Sequence, residues 1–230
     1  MKINLTFSNQ KNTLSGAAVL YLMAFLVITA IAVQPFVEIG YLTRDPMAIA
    51  KGSFYYGMLS NIGVLLWCAT ATICLLSFFL LKLVEYNRKC YFILAAGAVS
   101  LFLLLDDLFM IHEEVFPRYL HLSEKLVLAL YPILICWLLL RYSKEILNSS
   151  YLILLSSLGF LAFSEIVDVL APQNMELEFL LEDGFKFMGI VGWCYYFAST
   201  CYYTIKNSFI PDRTDILQSL DPEEQIIQFS

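Results

Sequence analysis

Charge is scarce in this chain of 230 residues: 15% are Asp, Glu, Lys or Arg, against 60% hydrophobic, and the mean hydropathy is positive. A soluble domain of this length needs more polar surface, so the composition excludes that class. Histidine is nearly absent, with only His112 and His121, and no paired-histidine zinc motif can be built from them. The six cysteines form no Cys-x-x-Cys pair, which removes thiol oxidoreductases and zinc ribbons. They read instead as small, polarizable packing residues. There is no Gly-rich phosphate loop and no internal repeat. Runs of alternating polar and apolar residues are also missing, which argues against a β-barrel. A net charge of -6 argues against a nucleic-acid partner.

Long apolar runs are what the sequence does have. Six of them approach the ~20 residues that cross ~30 Å of hydrocarbon as helix: about 14–36, 54–83, 90–111, 124–141, 151–171 and 177–205. The expected fold class is all-α, an integral membrane bundle of six transmembrane helices spanning residues 1–206, with the lipid bilayer as its surroundings. Residues 207–230, with Asp212, Asp215, Asp221, Glu223 and Glu224, read as a flexible acidic tail. The first run could also serve as a signal peptide. Because it extends to Phe36 it is long enough to cross, and a retained span is the favoured reading.

Lysine and arginine collect in cytoplasmic loops. Lys2, Lys11, Lys82, Arg88, Lys89, Arg141, Lys144, Lys206 and Arg213 fall on one side of the six spans, and Arg44, Lys51, Arg118 and Lys125 on the other. Both termini are therefore expected in the cytoplasm, in a membrane of the bacterial inner (plasma) type.

The few charges are unevenly placed. Asp106, Asp107, His112, Glu113, Glu114, Glu165, Asp168, Glu182, Asp183 and Lys186 lie in or beside predicted spans, at helix ends that the topology puts on the outer side. Charge in a bilayer is costly and usually marks a pathway or a site. At 100° per residue the third span puts Asp106, Met110 and Glu113 on one line, with Asp107 and Glu114 on the next. His112 falls on the opposite side unless the helix ends or bulges near Met110. Glu165 and Asp168 are spaced i, i+3, and Lys186 can reach Glu182 and Asp183 along its own helix. A polar wall from Ser53, Gly57, Ser60 and Asn61 would complete the surround.

Bland readings apply to some of these residues. Glu113, Glu114, Glu176 and Glu178 lie close enough to helix ends to be solvated. Lys186 could be a structural counter-ion, and His112 could be either a packing residue or a ligand. Asp106, Asp107, Glu165 and Asp168 are deeper and outnumber the nearby cations, so some must be protonated or share a bound cation. A proton would make the cluster a relay coupled to transport. A divalent metal, held by Asp107, His112, Asp168 and Glu182, would be its cofactor and could activate water against a lipid-linked substrate. The third reading is a non-catalytic membrane subunit or assembly factor. A homodimer or a membrane-protein partner fits all three, and whether the chain is an enzyme stays open.

The stretch Asp106-Asp107-x4-His112-Glu113 with Glu182-Asp183-Gly184-x-Lys186-x-x-Gly189 resembles a pattern of uncharacterised bacterial polytopic membrane proteins. The resemblance implies that His112, Glu113 and Lys186 belong to one site with Asp107 and Glu182. Glu113-Glu114-x-x-x-Arg118 is similar to the first motif of the CPBP intramembrane proteases, but the downstream histidine motifs of that family are missing. The ceramidase and adiponectin-receptor superfamily is set aside for want of its late His-x-x-x-His pair. A retinal protein would need more helices than these six, although Lys186 sits in the last of them.

Overall fold

A computed structural model of the chain describes residues 7–84, 87–121, 128–170 and 176–209. Among these residues it is all-helical, with no strands. It divides into two units, Met1–Tyr56 and Gly57–Ser230.

In the first unit, α1 (Phe7–Val33) is an apolar helix that stops two residues before Pro35, where a proline disfavours further helix. Gln34 takes over the turn, its side-chain oxygen accepting from the amides of Phe36 and Val37 at 2.8 and 2.9 Å. Two short helices follow, α2 (Ile39–Thr43) and α3 (Pro46–Ala50). Asp45 caps α3 by accepting from the Met47 and Ala48 amides, and Pro46 occupies the first helical position, where no amide hydrogen is needed.

The second unit is the packed body. Its helices are α4 (Met58–Lys82), α5 (Arg88–Phe109), α6 (Phe116–Leu120), α7 (Leu130–Arg141), α8 (Ser143–Leu147), α9 (Tyr151–Leu170) and α10 (Glu176–Phe209). Helix α4 packs on α5 and α10, and α9 packs along α10. Their shared core is aromatic: Trp193 is fully buried, with its ring centroid 5.8 Å from Trp67 and 4.9 Å from Phe197. The Trp193 indole N–H donates to Ser100 Oγ at 2.9 Å, which satisfies a polar atom that burial would otherwise penalise.

Glycine sets the closeness of α9 and α10. A Cβ on Gly189 would lie 2.6 Å from Leu161 Cγ and 3.0 Å from the Leu161 backbone nitrogen. Only a residue without a side chain lets the two backbones meet there. Ser157 Oγ then reaches the Gly189 carbonyl at 2.7 Å.

Among the described residues, four helices are long and apolar enough to cross a membrane: Leu14–Val33, Met58–Lys82, Arg88–Phe109 and Tyr151–Asp168. The sequence predicts two more. The fourth predicted span, 124–141, begins outside the described residues, and its described helix, Leu130–Arg141, has 12 residues, about 18 Å of helix. The sixth is ample in length at 34 residues, but its middle carries Tyr195, Tyr196, Tyr202 and Tyr203, which depress its hydropathy. Part of that polarity is internal, since Tyr196 is buried and exchanges a 2.7 Å hydrogen bond with Ser149. Several predicted bounds also move: the second span starts at Met58 rather than Phe54, the third ends at Phe109, and the last runs to Phe209, past the expected end of the bundle. The rest of the predicted tail lies outside the described residues.

Candidate functional site

One residue shapes the site. Met110 adopts a left-handed conformation, φ 47 and ψ 47, and ends α5 at Phe109. A π-helical turn, Ile111–Val115, follows, and Pro117 opens α6 behind it. On a continuous α-helix His112 would face away from Asp106. Here the reversal folds it back, so that its ring Nδ1 lies 2.6 Å from Asp106 Oδ2 and its backbone N–H donates to Asp106 Oδ1 at 3.1 Å. Met110, predicted on the carboxylate face, is turned to the exposed surface instead.

Asp106 and Asp107 therefore have different partners. Asp106 is 4% exposed, and both of its oxygens are engaged by His112. The Tyr131 phenol lies beside the same carboxylate, and its ring meets His112 edge-on at 5.9 Å. Asp107 points toward α4 and α10, where it accepts from Trp67 Nε1 at 2.8 Å and pairs with Lys186 Nζ at 2.8 Å. Sequence spacing assigned Lys186 to Glu182 and Asp183, on its own helix. Lys186 also pairs across helices with Asp107, where α4, α5 and α10 pack together.

These groups border a cavity of about 500 Å³. Among the described residues, six carboxylates line it, from Asp106, Asp107, Glu113, Glu165, Asp168 and Glu182, against two basic side chains, His112 and Lys186. Glu165 and Asp168 are exposed at its edge and form no hydrogen bond or ion pair among the described residues. Glu113 Oε1 lies 3.4 Å from His112 Nε2. Asp183 is not part of this lining. It borders a separate space of about 30 Å³ with Asp107, Lys186 and Ser60. Glu114 pairs with Arg118 at 3.2 Å on an exposed surface. Of the predicted polar wall, Ser60 reaches the smaller space and none reaches the larger.

The metal set does not assemble. Asp107, His112, Asp168 and Glu182 all border the cavity, yet among the described residues no three Asp, Glu, His or Cys side chains are grouped to hold an ion.

The His112 imidazole is held above its usual pKa. The hydrogen bond to Asp106 is the main cause, and the negative charges of Asp106 and Glu113 add to it. Burial and the Lys186 ammonium oppose the shift.

Two aromatic lining residues with polar atoms, Trp67 and Tyr131, had no place in the sequence reading of the site. Trp67 lies two turns after Ser60 on α4, a spacing that puts both on one face. Tyr131 carries the only phenol in α7, and an isolated hydroxyl in an apolar run was the available signal.

No curated protein and no solved structure matches the chain. A family model does, over residues 19–200, most of the sequence. The all-helical body and the acid-lined cavity just described are thus features of a chain that belongs to the family described as Domain of unknown function (DUF8692).

Proposed function

We propose that this protein is a six-span membrane protein of the bacterial inner membrane, with both termini cytoplasmic and an outward-facing cavity that binds a cation coupled to transport. The observation that carries this reading is the charge imbalance around the cavity, six carboxylates against His112 and Lys186. Both basic groups already face Asp106 and Asp107, so Glu165 and Asp168 retain the capacity to bind positive charge. Several carboxylates crowded at low dielectric favour a proton or another cation among them. In this scheme Glu165 and Asp168 accept the incoming charge. The His112–Asp106 pair sets the field they sense, and Lys186–Asp107 fixes α5 against α10.

A metal-dependent hydrolase is the weaker reading, because among the described residues no three Asp, Glu, His or Cys side chains are grouped to hold an ion. The test is flux in proteoliposomes carrying an internal pH dye. Wild-type protein should move protons or a counter-cation across an imposed gradient, and the Glu165→Gln, Asp168→Asn double variant should lose at least tenfold in rate. Equal flux in the two would remove transport through this cavity.

A further inference from the structure

We infer that the cavity takes an amphiphilic ammonium: a cationic headgroup seated at Glu165 and Asp168, with an apolar chain lying between α7 and α9. This names the ligand of the cation-binding reading and rests on it.

Size is the first argument. At about 500 Å³, the cavity is far larger than a metal ion or a hydronium needs. It falls within the ~300–1,000 Å³ typical of small-molecule sites. Shape is the second. Helix α9 packs along α10, whereas α7 touches α5, and among the described residues α7 and α9 do not pack along one another. The cavity occupies the interval between them. Pro132, Ile135 and Cys136 line it from α7, and Leu158, Ala162 and Ile166 from α9. In a six-span bundle such an interval opens sideways toward the acyl chains, which is the direction from which an amphiphile would arrive.

Polarity is the third argument. The apolar walls share the cavity with Glu165 and Asp168, which form no ion pair within 4 Å among the described residues. An anion would be repelled there, and a neutral molecule would leave both carboxylates uncompensated. Trp67 and Tyr131 belong to the same lining. They suit an alkylated ammonium, which is attracted to ring faces and cannot share a proton with a carboxylate.

The experiment is equilibrium binding of tritiated dodecyltrimethylammonium to the full-length protein in maltoside micelles. Tetramethylammonium, dodecylammonium and dodecyl sulfate serve as competitors. The expected result is saturable binding of one probe per chain, displaced by dodecylammonium. Tetramethylammonium and dodecyl sulfate should each compete at least tenfold more weakly. Asp168→Asn, at an exposed position that folding tolerates, should weaken the probe at least fivefold, and Ile135→Trp, which fills the interval, should weaken dodecyltrimethylammonium while leaving tetramethylammonium unchanged.

Equal competition by dodecyl sulfate would overturn the inference, as would wild-type affinity in Asp168→Asn. Proton uptake after a pH jump, measured without any ammonium, separates the two claims. Uptake that depends on Glu165 and Asp168 without probe binding leaves the cation reading standing and removes this inference. Loss of both removes both.

Discussion

Replacing Asp107 by Asn would leave the Lys186 ammonium beside a neutral amide, and the penalty depends on how well water can reach it. Breaking a fully buried pair from one side costs about 3–5 kcal/mol, and exposed pairs are worth far less. The Lys186 side chain is 39% exposed and that of Asp107 13%, so we expect about 1–2 kcal/mol for Asp107→Asn, within that intermediate range. Lys186→Met should cost a similar amount. The double variant should cost less than the sum, because neither charge is then stranded. Thermal unfolding in detergent around this double-mutant cycle checks the pair, and strict additivity would mean that the two groups do not interact.

His112 calls for a pH experiment. Its folded pKa is raised above the unfolded value of about 6.5. The stability it contributes is therefore fully present below pH ~6.5 and is lost as pH rises through the folded pKa. The stability difference between wild type and His112→Gln should be largest in mildly acidic buffer and shrink toward alkaline pH. A difference that grew with pH would show that Asp106 does not stabilise the imidazolium.

At the scale of elements, the contact between α9 and α10 makes the sharpest prediction. Gly189→Ala drives a methyl group to within 2.6 Å of Leu161 and 3.0 Å of its backbone nitrogen. Overpacking of that kind costs typically about 1–3 kcal/mol. Gly184→Ala, on the same helix, meets nothing within 4 Å, and its higher helix propensity should stabilise by up to about 1 kcal/mol. Opposite shifts in melting temperature for two identical chemical changes are expected; equal shifts would mean that the helices do not meet at Gly189.

The helices themselves were legible in the sequence, because long apolar runs and a positive mean hydropathy have few other solutions. Their ends were less legible. The stop at Phe109 depends on a left-handed methionine, a conformation that no propensity favours at that residue. The sequence raised an interruption near Met110 as the condition for His112 to join the carboxylates, with Pro117 close behind to favour an early helix end. Pairings across helices were the least visible, since i to i+4 spacing describes one helix and Lys186 found its partner on another. The exposed Glu114–Arg118 pair, which lies within one turn of chain, needed no tertiary information.

For the whole molecule, the decisive quantity is the side of the membrane on which the acids lie. The carboxylates that border the cavity come from the C-terminal end of α5, the C-terminal part of α9 and the N-terminal part of α10. Those three segments share one end only if α9 and α10 run antiparallel and α5 runs with α9. The packing supports this, because Asp106 and Asp107 on α5 border the same cavity as Glu165 on α9 and Glu182 on α10. At the opposite end, Lys82 closes α4, Arg88 and Lys89 open α5, and Arg141 closes α7. Basic residues so placed favour the cytoplasmic side. A phosphatase reporter joined after Tyr119 should therefore be active, which requires export, while a fluorescent protein joined after Ser230 should glow, which requires folding in the cytoplasm. The reverse pattern would turn the cavity inward and remove the outer aqueous phase as its source of protons. Activity of the phosphatase at both positions would imply an even number of crossings between Tyr119 and Ser230, and one of the three spans proposed there would have to lie outside the bilayer.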